Sequence, residues 1–125
     1  MKIQESAENY LETILILSQK NTYVRSVDIA NELNFTKPSV SVAMKKLRES
    51  ELITMDADGY IRLTAEGLSI ASSMYERHQL LSDWLVFLGV SRETALEDAC
   101  RIEHVISQES FDRIRAHVTE MREHS

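Results

Sequence analysis

SVDIANELNFTKPSVSVAMKKLRE, residues 26–49, decides the fold. Val27, Ile29, Ala30 and Leu33 recur at helical spacing after Ser26, a residue type suited to an N-cap, and Asn34 is suited to end the helix. Phe35 is expected as a buried turn residue. Thr36 then caps a second helix, from about Lys37 to Glu49, with Pro38 in the first turn, where its missing N–H costs nothing. Val40, Ala43, Met44 and Leu47 supply that helix's inward stripe. Two short helices joined by a tight turn follow.

Upstream, Tyr10, Leu11, Ile14, Leu15 and Leu17 predict an amphipathic helix of about four turns that ends near Asn21. Downstream, the period changes. Leu52-Ile-Thr-Met55 and Tyr60-Ile-Arg-Leu63 are short β-prone runs around Asp56-Ala-Asp-Gly59, whose glycine can take positive φ, so a β-hairpin is expected. Thr64, with Glu66 behind it, starts a long helix through Leu68, Ile70, Ala71, Met74, Tyr75, His78, Leu81, Trp84 and Leu85, which Gly89 ends. Ser91 opens another helix through Ile102 and Val105, and Ser110 is expected to cap a last one through Ile114 and Val118. Helix, helix-turn-helix, hairpin and further helices make a mainly α chain: a winged helix-turn-helix followed by an all-helical lobe. With 3 Gly and 1 Pro in 125 residues, a sandwich or barrel, which needs frequent turns, is excluded.

The net charge of −6 by itself argues against a phosphate-bearing partner, but its distribution does not. Between Val24 and Arg48 the cations Arg25, Lys37, Lys45, Lys46 and Arg48 outnumber Asp28 and Glu32, while every other part of the chain is acidic. The cationic stretch falls on the helix-turn-helix, whose second helix enters the major groove of double-stranded DNA. Thr36, Lys37, Pro38, Ser39 and Ser41 are the candidates at the groove, with Arg25, Lys45, Lys46 and Arg48 toward phosphates. Asp56 and Asp58 make the hairpin tip a poor phosphate ligand unless it offers only backbone N–H groups. A lysine cluster on a helix is also commonly a solvated face, and winged-helix modules also serve as protein-interaction domains.

Cys100, Glu103 and His104 stand at i, i+3 and i+4, so a thiolate, a carboxylate and an imidazole share one side of a helix and can serve a transition metal. His78 on the long helix, and Glu12 and Asn9 on the first, could complete such a set. The spacing alone is unspecific, because Glu and His often sit on wet helix surfaces and a lone Cys is commonly a small buried hydrophobe. Catalysis is not expected: there is no His-Glu-x-x-His motif and no second acid–base pair, which leaves a metal hydrolase a remote option. One cysteine excludes an internal disulfide and fits a reducing compartment, so a cytoplasmic location is expected. Residues 1–23 contain neither a signal sequence nor a membrane-spanning run.

The chain resembles the diphtheria toxin repressor and manganese transport regulator family of metal-dependent transcriptional repressors. The resemblance rests on Glu8-Asn-Tyr-Leu-Glu12, Val27-Asp-Ile-Ala30, Pro38-Ser-Val-Ser41, Leu63-Thr-Ala-Glu-Gly67, Arg77-His78 with Leu80-Leu81, and Asp98-Ala-Cys-Arg-Ile-Glu-His104. It implies a DNA-binding domain over residues 1–70 and a helical dimerisation and metal-binding domain over 71–125, in the short form without an SH3-like domain. It also implies a homodimer on a palindromic operator and repression of metal-ion uptake. Carried over position by position, Glu12, His78, Cys100, Glu103 and His104 match metal ligands. Asn9 replaces the Asp of manganese-type members or the Met of toxin-repressor-type members. Ser82 and Leu96 stand where iron-type members carry ligands of an additional site. Cys100 tilts the expected ion from manganese(II) toward iron(II), with zinc and cobalt able to bind in vitro. The competing expectation is a winged-helix interaction or small-molecule-responsive module without metal control.

Overall fold

A computed structural model describes residues 5–123. The elements run α1 (Glu5–Lys20), α2 (Ser26–Leu33), α3 (Lys37–Glu49), β1 (Ile53–Met55), β2 (Ile61–Leu63), α4 (Ala65–Phe87), α5 (Arg92–Val105) and α6 (Gln108–Glu123). Two compact units result, Met1–Ser73 and Met74–Ser125, with the division inside α4. This is the mainly α, winged helix-turn-helix architecture that the sequence pattern predicts.

In the first unit the inward stripes converge. Leu11 and Ile14 of α1, Ile29 of α2 and Val40 of α3 have no solvent exposure, and Met44, Leu47, Leu52, Ile53 and Ile61 close around them. Each such side chain contributes about 1.5–3 kcal/mol relative to exposure, so the helix-turn-helix is held chiefly by these contacts. Asn34 ends α2 in the left-handed region at φ 57°, which an Asn tolerates, and Phe35 N–H donates to Ala30 O at 3.0 Å. Thr36 caps α3 by accepting Ser39 N–H at 3.4 Å, and Pro38 stands in its first turn.

Three local expectations need correction. Phe35 is 45% exposed rather than buried: the turn carries its backbone at the surface, and the ring meets Tyr10 edge-on at 5.9 Å. Ser26 is the first residue of α2, not its cap. Arg25 takes that place in extended geometry, its N–H donating to the Asp28 carboxylate at 2.9 Å. The cap of α6 is Ser107 rather than Ser110, whose N–H donates to Ser107 Oγ at 3.0 Å.

The strands pair antiparallel, Ile53 with Leu63 and Met55 with Ile61. Gly59 turns the hairpin at φ 81°. Thr64 anchors the return: its N–H donates to Leu52 O, its hydroxyl to Glu51 O, and its Oγ1 accepts Gly67 N–H. Gly67 is dictated by space, since a Cβ there would run into the carbonyl oxygen of Leu52.

In the second unit, Leu81 of α4, Ala99 of α5 and Phe111 of α6 form the buried centre, with Leu80, Trp84, Ile102, Ile106 and Ile114 packed against it. Gly89, at φ 106°, breaks the chain between α4 and α5, and Ser91 caps α5. This core is small. Phe87, Leu88 and Val105 remain 58–73% exposed, an apolar remainder that three helices cannot cover themselves. No helix among the described residues is long and apolar enough to cross a membrane.

Candidate functional site

The first unit presents the cationic surface. Lys37, Ser41, Lys45 and Arg48 recur every three or four residues along α3 beside the buried line of Val40, Met44 and Leu47, so they form one exposed stripe. Arg25, Thr36, Pro38, Ser39 and Lys46 are exposed as well, so every groove and phosphate candidate is open to a partner. Thr36 does double duty, since its hydroxyl also donates to Ser39 Oγ at 2.8 Å and orients that side chain at the start of the helix. Val42 lies 57% exposed on the same helix, an apolar contact that the sequence reading passed over. Its signal was there: it falls off the inward stripe.

Arg25 has a partner that no local pattern announces. Its guanidinium lies over the Tyr60 ring, 4.7 Å from the centroid, and Nη2 donates to the phenol oxygen at 3.1 Å. Tyr23 stacks on the same ring at 4.2 Å. At the hairpin tip Asp56 consumes the available donors. Its carboxylate accepts Asp58 N–H at 2.9 Å and Tyr60 N–H at 3.0 Å, and its carbonyl accepts Gly59 N–H at 3.0 Å. The tip therefore has two acids and no spare N–H at these positions for a phosphate.

In the second unit Glu103 is the centre of a compact polar cluster. Its side chain is fully buried on α5, Oε2 lies 2.9 Å from His78 Nδ1 of α4, and Oε1 lies 3.3 Å from His104 Nε2. Oε1 is buried and accepts no hydrogen bond among the described residues, an arrangement that leaves acceptor capacity unused in a low-dielectric setting. The hydrogen bond to Glu103 raises the His78 pKa above its ordinary 6.5, helped by the charges of Glu103 and Asp83 and opposed by burial. A buried carboxylate between two imidazoles, with one oxygen unspent, fits a divalent cation: the donors are oxygen and nitrogen, and the cation would supply the missing partner.

Arg77, which the sequence reading did not single out as a functional residue, fixes this cluster from the main chain. One nitrogen donates to the carbonyls of Glu103 and Ile106 at 3.0 Å, and the other to Gln108 Oε1 at 2.8 Å. Adjacent residues of α4 thus hold both ends of Glu103: Arg77 its carbonyl and His78 its carboxylate. Its guanidinium also stacks on Phe111 at 5.4 Å.

The remaining metal candidates differ in burial. Cys100 is exposed, so the structure does not bury it beside Glu103. The buried line of α5 is Ala95, Ala99 and Glu103, one residue in four, and Cys100 is displaced about 100° from it. Glu12 and Asn9 lie on α1 in the first unit, Glu12 buried and Asn9 half-buried. Ser82 is buried and spends its hydroxyl on Gln79 O at 3.1 Å, while Leu96 is 38% exposed.

Comparison with known proteins places these two units in context. Residues 2–63 match the domain described as iron dependent repressor, N-terminal DNA binding, and residues 64–125 match iron dependent repressor, metal binding and dimerisation. The transcriptional regulator MntR of Escherichia coli O6:H1 is 38% identical over 112 residues, covering 90% of this chain and 72% of that protein. An uncharacterised HTH-type transcriptional regulator of Methanocaldococcus jannaschii is 31% identical over 115 residues, covering 90% of this chain and 92% of its own. Among solved structures, a manganese-dependent transcriptional repressor in complex with manganese superposes with a TM-score of 0.83 at 28% identity, over 90% of this chain. The chain spans about half that structure's length, 52%.

Proposed function

The chain belongs to the iron-dependent repressor family, and from that premise we propose that it is a cytoplasmic, metal-activated repressor of metal-ion uptake genes that binds a palindromic DNA operator as a homodimer. The observation that carries the metal dependence is Glu103: a fully buried carboxylate set between His78 and His104 with one oxygen lacking a hydrogen bond. In this reading His78, Glu103 and His104 hold the ion, with Glu12, Asn9 and Cys100 as further donors by their match to family positions.

The ion is manganese(II) or iron(II). Oxygen and imidazole donors suit both, and the exposure of Cys100 removes burial as an argument for preferring iron. A divalent cation supplies positive charge to an acidic donor set, and its binding should displace protons. Metal control of DNA affinity requires the ion to favour the DNA-competent arrangement, and a coupling of about 1–3 kcal/mol would change operator affinity about 5- to 150-fold.

On the DNA side, the cap Thr36 and the N-terminal residues Lys37, Ser39 and Ser41 of α3 meet base edges in the major groove, with Pro38 against the groove wall. Lys45, Lys46 and Arg25 meet phosphates. Val42 is suited to a thymine methyl group. Dimerisation through the apolar remainder of the second unit places two copies of α3 about 34–36 Å apart, or a multiple of it.

The test is DNA binding with and without metal. Duplexes selected from a random library by the manganese-loaded protein should shift in a gel with manganese(II) or iron(II) and lose most of that affinity after chelation. Equal affinity in both states would reject metal control.

A further inference from the structure

The hairpin of a winged module is expected to touch DNA itself, and here its tip is poorly equipped to do so. Asp56 and Asp58 repel phosphate, and the N–H groups of Asp58, Gly59 and Tyr60 are all accepted by Asp56. Its base, however, is joined to the helix-turn-helix. Ile61 N–H of β2 donates to Val24 O at 2.7 Å, which fixes the backbone one residue before Arg25. On either side of Val24, Tyr23 and Arg25 both meet the Tyr60 ring, at 4.2 and 4.7 Å.

We infer that the wing acts on DNA through Arg25: Tyr60, backed by Tyr23, is a positioning residue that holds the Arg25 guanidinium as a phosphate ligand at the start of α2. This inference rests on the DNA-binding function proposed above and assigns a role within it. A guanidinium carries five N–H donors, and the phenol takes one, so a fork remains for a phosphate oxygen pair. No carboxylate side chain pairs with that guanidinium among the described residues; the nearby Asp28 is engaged by the Arg25 backbone N–H instead. A flexible arginine must lose rotamer freedom when it binds. An arginine already laid over a ring, with one nitrogen bonded to its hydroxyl, loses less. Exposed cation–π contacts are worth enough to change affinity about two- to fivefold.

The experiment is a double-mutant cycle on the full chain loaded with manganese(II), read as affinity for a mixed-sequence duplex of about three helical turns across a salt series, because phosphate contacts do not depend on sequence. Arg25→Gln should lower affinity and reduce the salt slope by about one ion per protomer. Tyr60→Ala should weaken binding about two- to fivefold in the parent and have no effect in the Arg25→Gln background. Tyr60→Phe, which keeps the ring and its apolar contacts, should lose less than Tyr60→Ala and likewise lose nothing once Arg25 is gone. Equal losses for the Tyr60 variants in both backgrounds would make Tyr60 a purely structural residue and overturn the inference. If Lys45→Ala with Lys46→Ala flattens the salt slope while Arg25→Gln leaves it unchanged, the inference falls and the DNA-binding function stands. If none of these substitutions moves the slope, both fall.

Discussion

His78 Nδ1 and Glu103 Oε2 lie 2.9 Å apart, joining α4 to α5 through a carboxylate whose other oxygen is 3.3 Å from His104. A cation bound there would compete with a proton for His78, so the chemistry of this cluster sets the first predictions.

Glu103→Gln keeps the shape of the side chain and removes its charge. Manganese(II) affinity, measured by anaerobic competition with a chromogenic chelator, should fall at least about 10- to 100-fold, the loss that even outer partners of a ligand produce. The metal-free protein should keep its helical circular dichroism. An unchanged titration would remove Glu103 from the centre.

Because the folded protein raises the His78 pKa, the His78–Glu103 pair stabilises the metal-free fold fully below the ordinary value of 6.5, and that contribution is lost as pH rises through the higher folded value. Thermal melts of the metal-free protein should therefore show a decline in stability across that window that His78→Gln lacks. Metal affinity should run the other way, rising with pH as the imidazole gives up its proton.

Lys45→Ala with Lys46→Ala should lower DNA affinity and reduce the salt slope by about one to two, since each phosphate contact contributes nearly one released ion. A fluorescence-anisotropy salt series measures both quantities. An unchanged slope would take α3's basic flank off the phosphate backbone.

Arg77→Ala removes three hydrogen bonds, made by a buried guanidinium to Glu103 O, Ile106 O and Gln108. Loss of these bonds and the buried acceptors left behind should cost about 2–5 kcal/mol, visible in urea unfolding of the metal-free protein. Added manganese(II) should recover part of the loss by binding only the folded chain.

Phe87 and Leu88 are 65% and 58% exposed, whereas Leu81 is 1% exposed and belongs to the core. Charging the exposed pair, Phe87→Asp with Leu88→Asp, should shift the sedimentation equilibrium toward monomer without loss of helix. A dimer unaffected by both substitutions would place the interface elsewhere.

Much of the fold was legible because its signals are local. The bounds of α3, the Asn34 stop, the hairpin and the inward stripe Val40, Met44 and Leu47 follow from caps and periodicity within a few residues. Glu103 and His104 share a side of α5 by spacing alone. What spacing could not give was depth. Cys100 stands three residues before Glu103 and is exposed, because the buried line runs through Ala95, Ala99 and Glu103. The contacts of Arg77 and Tyr60 are not legible in the sequence because their partners lie 26 to 35 residues away, and nothing in a helix pattern separates a buried arginine from a solvated one. Phe35 shows the converse: its residue type suggests burial, yet the turn needs its backbone at the surface.

The carboxylate and carbonyl of Asp56, which gather three successive N–H groups at the hairpin tip, also bear on the protein's behaviour at high concentration. A two-strand ribbon with loose donors at its end invites pairing with the ribbon of another molecule. With those donors bound internally and each strand only three residues long, this one offers little for cross-β growth, and Asp56→Ala should make concentrated solutions more prone to aggregate.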